Sequence, residues 1–173
     1  SLEGFLFPDT YFVSTSSFTP RGFIVRMLTN FQNKFNDELT AKMKNSGYSL
    51  FEIVTMASII EKEVRTNKDY PIVAGILWKR LNNKWPIGAD ATLLYNKTDN
   101  EISYEDLQED SLYNTRKVLG LPPTAIGNPG IKAIRGALYS ETSPYWFYLT
   151  TKDGTVIYSR TNEEHNDNKR RYL

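Results

Sequence analysis

Two carboxylates, Glu61 and Glu63, stand two residues apart in the run Met56-Ala57-Ser58-Ile59-Ile60-Glu61-Lys62-Glu63-Val64. At about 100° per residue, Ile53, Met56, Ala57, Ile60 and Val64 fall on one apolar stripe of a helix. Glu61 sits at one margin of that stripe, and Glu63 near the opposite margin, beside Met56. A carboxyl half wrapped in hydrocarbon loses hydration of its charged form, which favours keeping the proton. A carboxyl protonated near neutral pH is what general-acid catalysis needs. Residues two apart on a helix point roughly 160° apart, so both cannot closely line one cleft. The helical wheel does not choose between them, and it also fits two solvated charges at the rim of an ordinary core helix.

Three loops carry more chemistry than turns require. Glu3-Gly4-Phe5-Leu6-Phe7-Pro8-Asp9-Thr10-Tyr11 combines two carboxylates with aromatic rings, as a sugar-binding rim would. Gly88-Ala89-Asp90-Ala91-Thr92 is a small-residue turn that exposes Asp90, which equally suits a helix cap. Leu119 to Gly130 is stiffened by consecutive prolines and ends at a helix start that can offer N–H groups to a ligand. Asn114 and Thr115 precede it with amide and hydroxyl donors. His165 with Asn166 is a further candidate pair, although a single His in the first turn of a helix is more often structural.

Composition narrows the options. The chain has no Cys and a single His, which excludes disulfides and thiolate metal sites and disfavours a Ser-His-Asp triad. A net charge of +1 gives no pull toward nucleic acid. Hydrophobic residues make up 40% and charged ones 24%, which is ordinary for a folded domain. No run of about 18 apolar residues and no signal peptide is present. A start at Ser1-Leu2-Glu3, within a motif and without Met, reads as a fragment of a longer protein.

The elements that must position these groups follow from caps and periodicity. Leu2 to Val13 reads as a turn plus a strand. Thr19-Pro20 opens an amphipathic helix expected to reach about Lys44, closed by Asn45-Ser46-Gly47. Ser49-Leu50-Phe51-Glu52 is a capping box that starts the Glu61 helix. Asp69-Tyr70-Pro71 opens a helix through Leu81, and Ser103 caps a short one. Asn128 as N-cap and Pro129 as first helical residue lead into Ile131 to Tyr139. Tyr145 to Thr151 and Thr155 to Ser159 form a hairpin around Lys152-Asp153-Gly154. Thr161-Asn162-Glu163-Glu164 is a second capping box, before a terminal helix. The sum is a helix-rich α+β single domain over residues 1–173, with a small antiparallel hairpin and long ordered loops.

Taken in order, Leu2 to Tyr11, Ala57 to Glu63, Ala89 to Thr92, Tyr113-Asn114-Thr115, Gly120 to Thr124, Gly127 to Gly130 and Glu164-His165-Asn166 resemble the catalytic domain of the endolytic murein transglycosylases, the MltG (YceG-like) family. Each motif is weak alone, but seven in family order are specific. Arg116 departs from the pattern, where an aromatic is common, and Ala125 replaces a frequent Pro.

The resemblance implies cleavage of the β-1,4 bond between N-acetylmuramic acid and N-acetylglucosamine inside peptidoglycan strands. The new end is 1,6-anhydro-muramoyl, and no metal or organic cofactor is involved. By motif position the resemblance assigns the essential acid to Glu61 and leaves Glu63 an orienting or structural role. Glu3, Asp90, Thr92, Asn114, Thr115, Asn128 and His165 are the candidates for substrate contact. It further implies a membrane anchor and a LysM-like region outside this chain, a location on the outer face of the cytoplasmic membrane, and partners in cell-wall synthesis. Two rival readings are a hydrolase, with Glu61 as acid and Asp90 as base, and a wall-binding module without catalysis.

Overall fold

From Ile53 to Ile60 the central helix is buried on every side, so it is the axis of the core. The computed structural model describes residues 1–99 and 101–173. In chain order it has α1 (Pro20–Lys34), α2 (Asp37–Ser46), α3 (Leu50–Glu63), α4 (Asp69–Asn82), α5 (Asp90–Leu93), α6 (Tyr104–Gln108), α7 (Ile131–Leu138), β1 (Phe147–Thr150), β2 (Val156–Ser159) and α8 (Asn162–Tyr172). A 3-10 turn covers Leu94–Asn96. The two strands pair antiparallel, with Tyr148 opposite Tyr158 and Thr150 opposite Val156. This is a helix-rich α+β architecture with one small hairpin. Among the described residues no helix is long and apolar enough to cross a membrane.

The axis helix α3 begins at the expected capping box. The Ser49 hydroxyl accepts from the Glu52 amide at 3.3 Å, and the Glu52 carboxylate accepts from the Ser49 amide at 2.8 Å. It ends at Val64, which is extended (φ −133, ψ 153), so Glu63 is its last helical residue. α7 packs across α3 and α4. The approach to α4 is close because Gly136 has no side chain: a Cβ there would come within 2.5 Å of Tyr70 Cβ. The Trp78 indole N–H, donating to the Ala137 carbonyl at 3.0 Å, ties the same pair.

The structure differs from the sequence expectations in four places. The helix expected to reach Lys44 breaks after Lys34, because Asn36 is itself an N-cap whose side chain accepts from the Leu39 amide at 3.1 Å. Leu2 to Val13 forms a turn and extended chain but no strand. Asn128 does not cap α7; that place belongs to Gly130. The Asn128 side-chain oxygen instead accepts from the amides of Gly4 at 2.8 Å and Leu6 at 3.1 Å, pinning the N-terminal turn. Finally, Thr161 does cap α8, but the Glu164 carboxylate reaches the Arg160 amide at 2.7 Å, one residue before the cap.

The end of α4 is a Schellman turn with an uncommon residue. The Lys84 amide donates to Leu81 at 3.1 Å and the Trp85 amide to Arg80 at 2.9 Å, with Lys84 left-handed at φ 54. Glycine normally occupies that position because an L side chain there clashes with backbone. Lys84→Gly is therefore expected to stabilise the fold by about 0.5–1 kcal/mol. Gly136→Ala is expected to destabilise it by about 1–3 kcal/mol through overpacking against Tyr70. Urea unfolding of the two variants checks both signs.

Candidate functional site

A cleft of about 820 Å³ opens where the C-terminal end of α3 meets the hairpin. Its walls are the segment from Trp85 to Tyr95, strand β1, and the α8 residues Asn162, His165 and Lys169. Lys62, Glu63, Arg80 and Arg116 also face it. Strand alternation puts Tyr148 and Thr150 on one face of β1, and both reach the end of α3. The Thr150 hydroxyl donates to the Glu63 carbonyl at 2.9 Å, and the Tyr148 hydroxyl donates to the Glu63 carboxyl at 3.0 Å.

Glu63 is the carboxyl that this arrangement encloses. Its second oxygen accepts from the Ala91 amide, in the first turn of α5, at 3.3 Å. Burial pushes its pKa up, and nearby Asp90 adds to the rise; the Ala91 and Tyr148 hydrogen bonds and Arg116 oppose it. Its place at the C-terminal, partly negative end of α3 acts in the same direction as burial. The same environment drives the Tyr148 hydroxyl well above its ordinary value, chiefly by burial and then by the Glu63 charge. Tyr148 therefore remains a donor to Glu63.

Charge around Glu63 is arranged by backbone. The Arg80 guanidinium is buried and donates to the carbonyls of Ile87 at 2.6 Å and Trp146 at 2.6 and 2.9 Å. Burial lowers its pKa, while Tyr148 and Glu63 pull it back up. Asp90 lines the cleft but is held by Arg116, whose Nε donates at 2.9 Å. His165 stacks on Phe147 at 5.2 Å, and its Nδ1 is buried with no hydrogen-bond partner. Burial, followed by Lys169 and Arg80, lowers its pKa, which favours the neutral ring.

The other sequence candidates make their hydrogen bonds away from the Glu63 carboxyl. Glu61 is not part of the cleft wall. Its carboxylate accepts from the Gly130 amide at 3.2 Å, at the N-terminus of α7, where it satisfies an orphan N–H and complements the positive end of the helix. Thr92 and Thr115 are buried and bonded to each other at 2.9 Å, and Thr115 also accepts from the Ala89 amide at 3.2 Å. They latch the turn that presents Asp90 and Ala91. Asn114 is fully buried and donates to the carbonyls of Leu107 at 3.2 Å and Glu109 at 2.9 Å, closing the end of α6. Asn128 pins the N-terminal turn, as above. Glu3 reaches the rim only through Tyr95, whose hydroxyl donates to it at 3.3 Å. The structure thus brings Glu63, Asp90 and His165 into one cleft, which Glu61, Thr92, Asn114, Thr115 and Asn128 do not line.

Tyr148 and Arg80 carry no motif signal in the sequence, and Arg116 stands out there only as a departure from the family pattern. Period-two alternation in the hairpin was the available signal for Tyr148. Nothing local marks Arg80, whose partners are carbonyls. Among the described residues no group of three or more His, Asp or Glu is arranged to hold a metal ion.

The profile of the YceG-like family matches residues 1–171. The chain is 34% identical to the endolytic murein transglycosylase of Bacillus subtilis (strain 168), over 99% of this chain and 48% of the relative. It is 30% identical to that of Streptococcus pneumoniae serotype 2, over 96% of this chain and 31% of the relative. It therefore spans half or less of these proteins' length. A crystal structure of a yceG-like protein from Listeria monocytogenes superposes with a TM-score of 0.89 at 36% identity, covering 96% of this chain and 55% of that one.

Burial of Glu63 also has a stability consequence. A carboxyl whose folded pKa lies above its unfolded value contributes stability that is fully present below the unfolded pKa and lost as pH rises through the folded one. The loss begins above the ordinary value of 4.5. Glu63→Gln removes the buried charge, and its amide can still accept from Ala91 and donate to Tyr148. The variant is expected to melt at the same or a higher temperature than the parent at pH 8, with a flatter pH dependence between pH 5 and 8. Thermal unfolding across that range checks it.

Proposed function

This chain belongs to the YceG-like family, and from that premise we propose that it is the catalytic part of an endolytic murein transglycosylase. Its substrate is then the peptidoglycan glycan strand, cut inside the chain at the β-1,4 bond between N-acetylmuramic acid and N-acetylglucosamine. The names of its relatives support the activity class. We assign the acid to Glu63 rather than to Glu61. The observation that carries this assignment is the enclosure of the Glu63 carboxyl in the cleft, with its pKa raised by burial, while Glu61 caps α7 outside the wall.

The chemistry needs one such group. Protonated Glu63 gives its proton to the glycosidic oxygen, and the bond from that oxygen to the muramoyl anomeric carbon breaks. The Glu63 carboxylate, held by Tyr148 and the Ala91 amide, then takes the proton of the muramoyl 6-hydroxyl as its oxygen bonds to the same carbon. Glu63 ends protonated, the leaving sugar carries the first proton, and the strand ends in a 1,6-anhydro ring. Tethering of the nucleophile within the substrate replaces a bound water or an enzyme nucleophile. The Arg80 charge favours the carboxylate formed midway. A hydrolase would need a second carboxylate to activate water. Asp90 is a carboxylate in the cleft, and Arg116 occupies one of its oxygens.

Placement of the whole protein on the outer face of the cytoplasmic membrane, with partners in wall synthesis, belongs to the same proposal. It rests on the family resemblance.

Mass spectrometry of products from uncrosslinked peptidoglycan strands tests the reading. Wild type and Glu61→Gln are expected to yield anhydro-muramoyl ends. Glu63→Gln is expected to lose turnover by a factor on the order of 10²–10⁴. The wild-type kcat/KM should fall as pH rises through the elevated Glu63 pKa, because the acid form is consumed. Reducing ends would instead assign a hydrolase, and an inactive Glu61→Gln beside an active Glu63→Gln would return the acid to Glu61.

A further inference from the structure

At one end of the cleft stands an aromatic cluster that the chemistry at Glu63 does not use. Trp85 lines the cleft and keeps 42% of its surface exposed, although its indole packs at 5.0 Å from Trp146 and edge-on at 5.8 Å from Phe147. The other two rings carry cations: Lys79 Nζ lies 4.5 Å from the centre of Trp146 and the Arg80 guanidinium 5.4 Å from that of Phe147. Both of those rings are half-buried. Trp85 alone of the three is exposed, and it is braced from behind. The backbone that presents it is strained, since Lys84 is left-handed at φ 54 where glycine is usual. Such strain is tolerated where the neighbouring group is held in a required place, and Pro86 stiffens the exit from the turn.

A large apolar ring that stays exposed in a polar cleft fits a ligand with both polar edges and an apolar face. A pyranose ring is such a ligand, because its axial C–H groups form a flat apolar patch between rims of hydroxyls. Stacking on indole removes both apolar surfaces from water. We propose that Trp85 is a stacking platform for an N-acetylhexosamine ring of the glycan strand. The platform forms a subsite beside the acid rather than at it, and this rests on the functional reading above. Phe147 braces Trp85, and its neighbour Tyr148 bonds the Glu63 carboxyl. Adjacent residues of a strand point to opposite faces, so the ring that stacks on Trp85 is not the sugar at the acid. Trp85 therefore favours long strands over short ones without touching the reacting atoms.

The test is a fluorescence titration of the Glu63→Gln protein with uncrosslinked glycan strands, which separates binding from cleavage. Strands are expected to quench and blue-shift tryptophan emission. Adding Trp85→Phe should abolish most of that response while Kd changes less than about threefold, because a ring remains. Adding Trp85→Ala should raise Kd about tenfold, equivalent to ~1.4 kcal/mol. In the parent with Glu63 intact, Trp85→Ala should raise KM for long strands more than kcat falls. An unchanged Kd for Trp85→Ala, a full emission response from Trp85→Phe, or no binding by the Glu63→Gln protein overturns the platform. Failure of the wild type to form anhydro ends while strands still engage Trp85 overturns the catalytic reading and leaves the platform standing.

Discussion

The clamp on the Glu63 side chain joins the parts of this molecule that matter for its chemistry. One carboxyl at the last turn of a buried helix meets a tyrosine from the hairpin and an amide from the short α5 helix. Each partner is itself fixed elsewhere. β1 is anchored by Thr150 on the Glu63 carbonyl and by Arg80 on the Trp146 carbonyl. The α5 turn is anchored by the Thr92–Thr115 hydroxyl pair. If either anchor loosens, water reaches the carboxyl and the elevated pKa is lost, because that elevation comes first from burial.

The same logic explains why so much polar chemistry lies outside the cleft. Long loops contain amides and carbonyls that no helix or strand satisfies, and each buried orphan costs about 1–3 kcal/mol. Asn114 takes up carbonyls at the end of α6, Asn128 takes up amides of the N-terminal turn, and Ser58 accepts from the Ile126 amide at 3.0 Å. Ala125 is buried beside Gly4, where a Cβ on residue 4 would come within 2.7 Å of the Ala125 Cβ. These residues look like ligands in sequence because polar side chains in loops are what both scaffolding and binding require. Glu61 and Glu63 make the contrast plain. Two positions along the same helix, one carboxyl meets the positive end of α7 and the other meets the negative end of its own helix beside a hydrophobic wall.

Local signals were legible wherever they closed locally. The Ser49–Glu52 box, the Asp69 helix start, the Ser103 cap and the hairpin around Asp153–Gly154 all appear where spacing puts them. Helical geometry points Glu61 and Glu63 roughly 160° apart, and the two carboxyls meet different partners, the Gly130 amide and the Tyr148 hydroxyl. Which of them faces the cleft was not legible, because the answer depends on what packs on each margin: α7 on one side, the hairpin on the other. The break at Asn36 and the long-range use of Asn128 escaped for related reasons. The first is a strong cap inside a continuous amphipathic run. The second spends its side chain on amides 122 and 124 residues away instead of on its own helix. Arg116, read as a departure from the family pattern, proves to be the partner that holds Asp90.

The most direct measurement is the titration of the Glu63 side-chain carboxyl by carbon NMR on glutamate-labelled protein, with Glu63→Gln identifying its resonance. The expected result is one glutamate that keeps its proton well above the range of the exposed ones and disappears from the spectrum of the variant. A Glu63 resonance that titrates together with the exposed glutamates would contradict the enclosed acid, and with it the assignment of catalysis to this position.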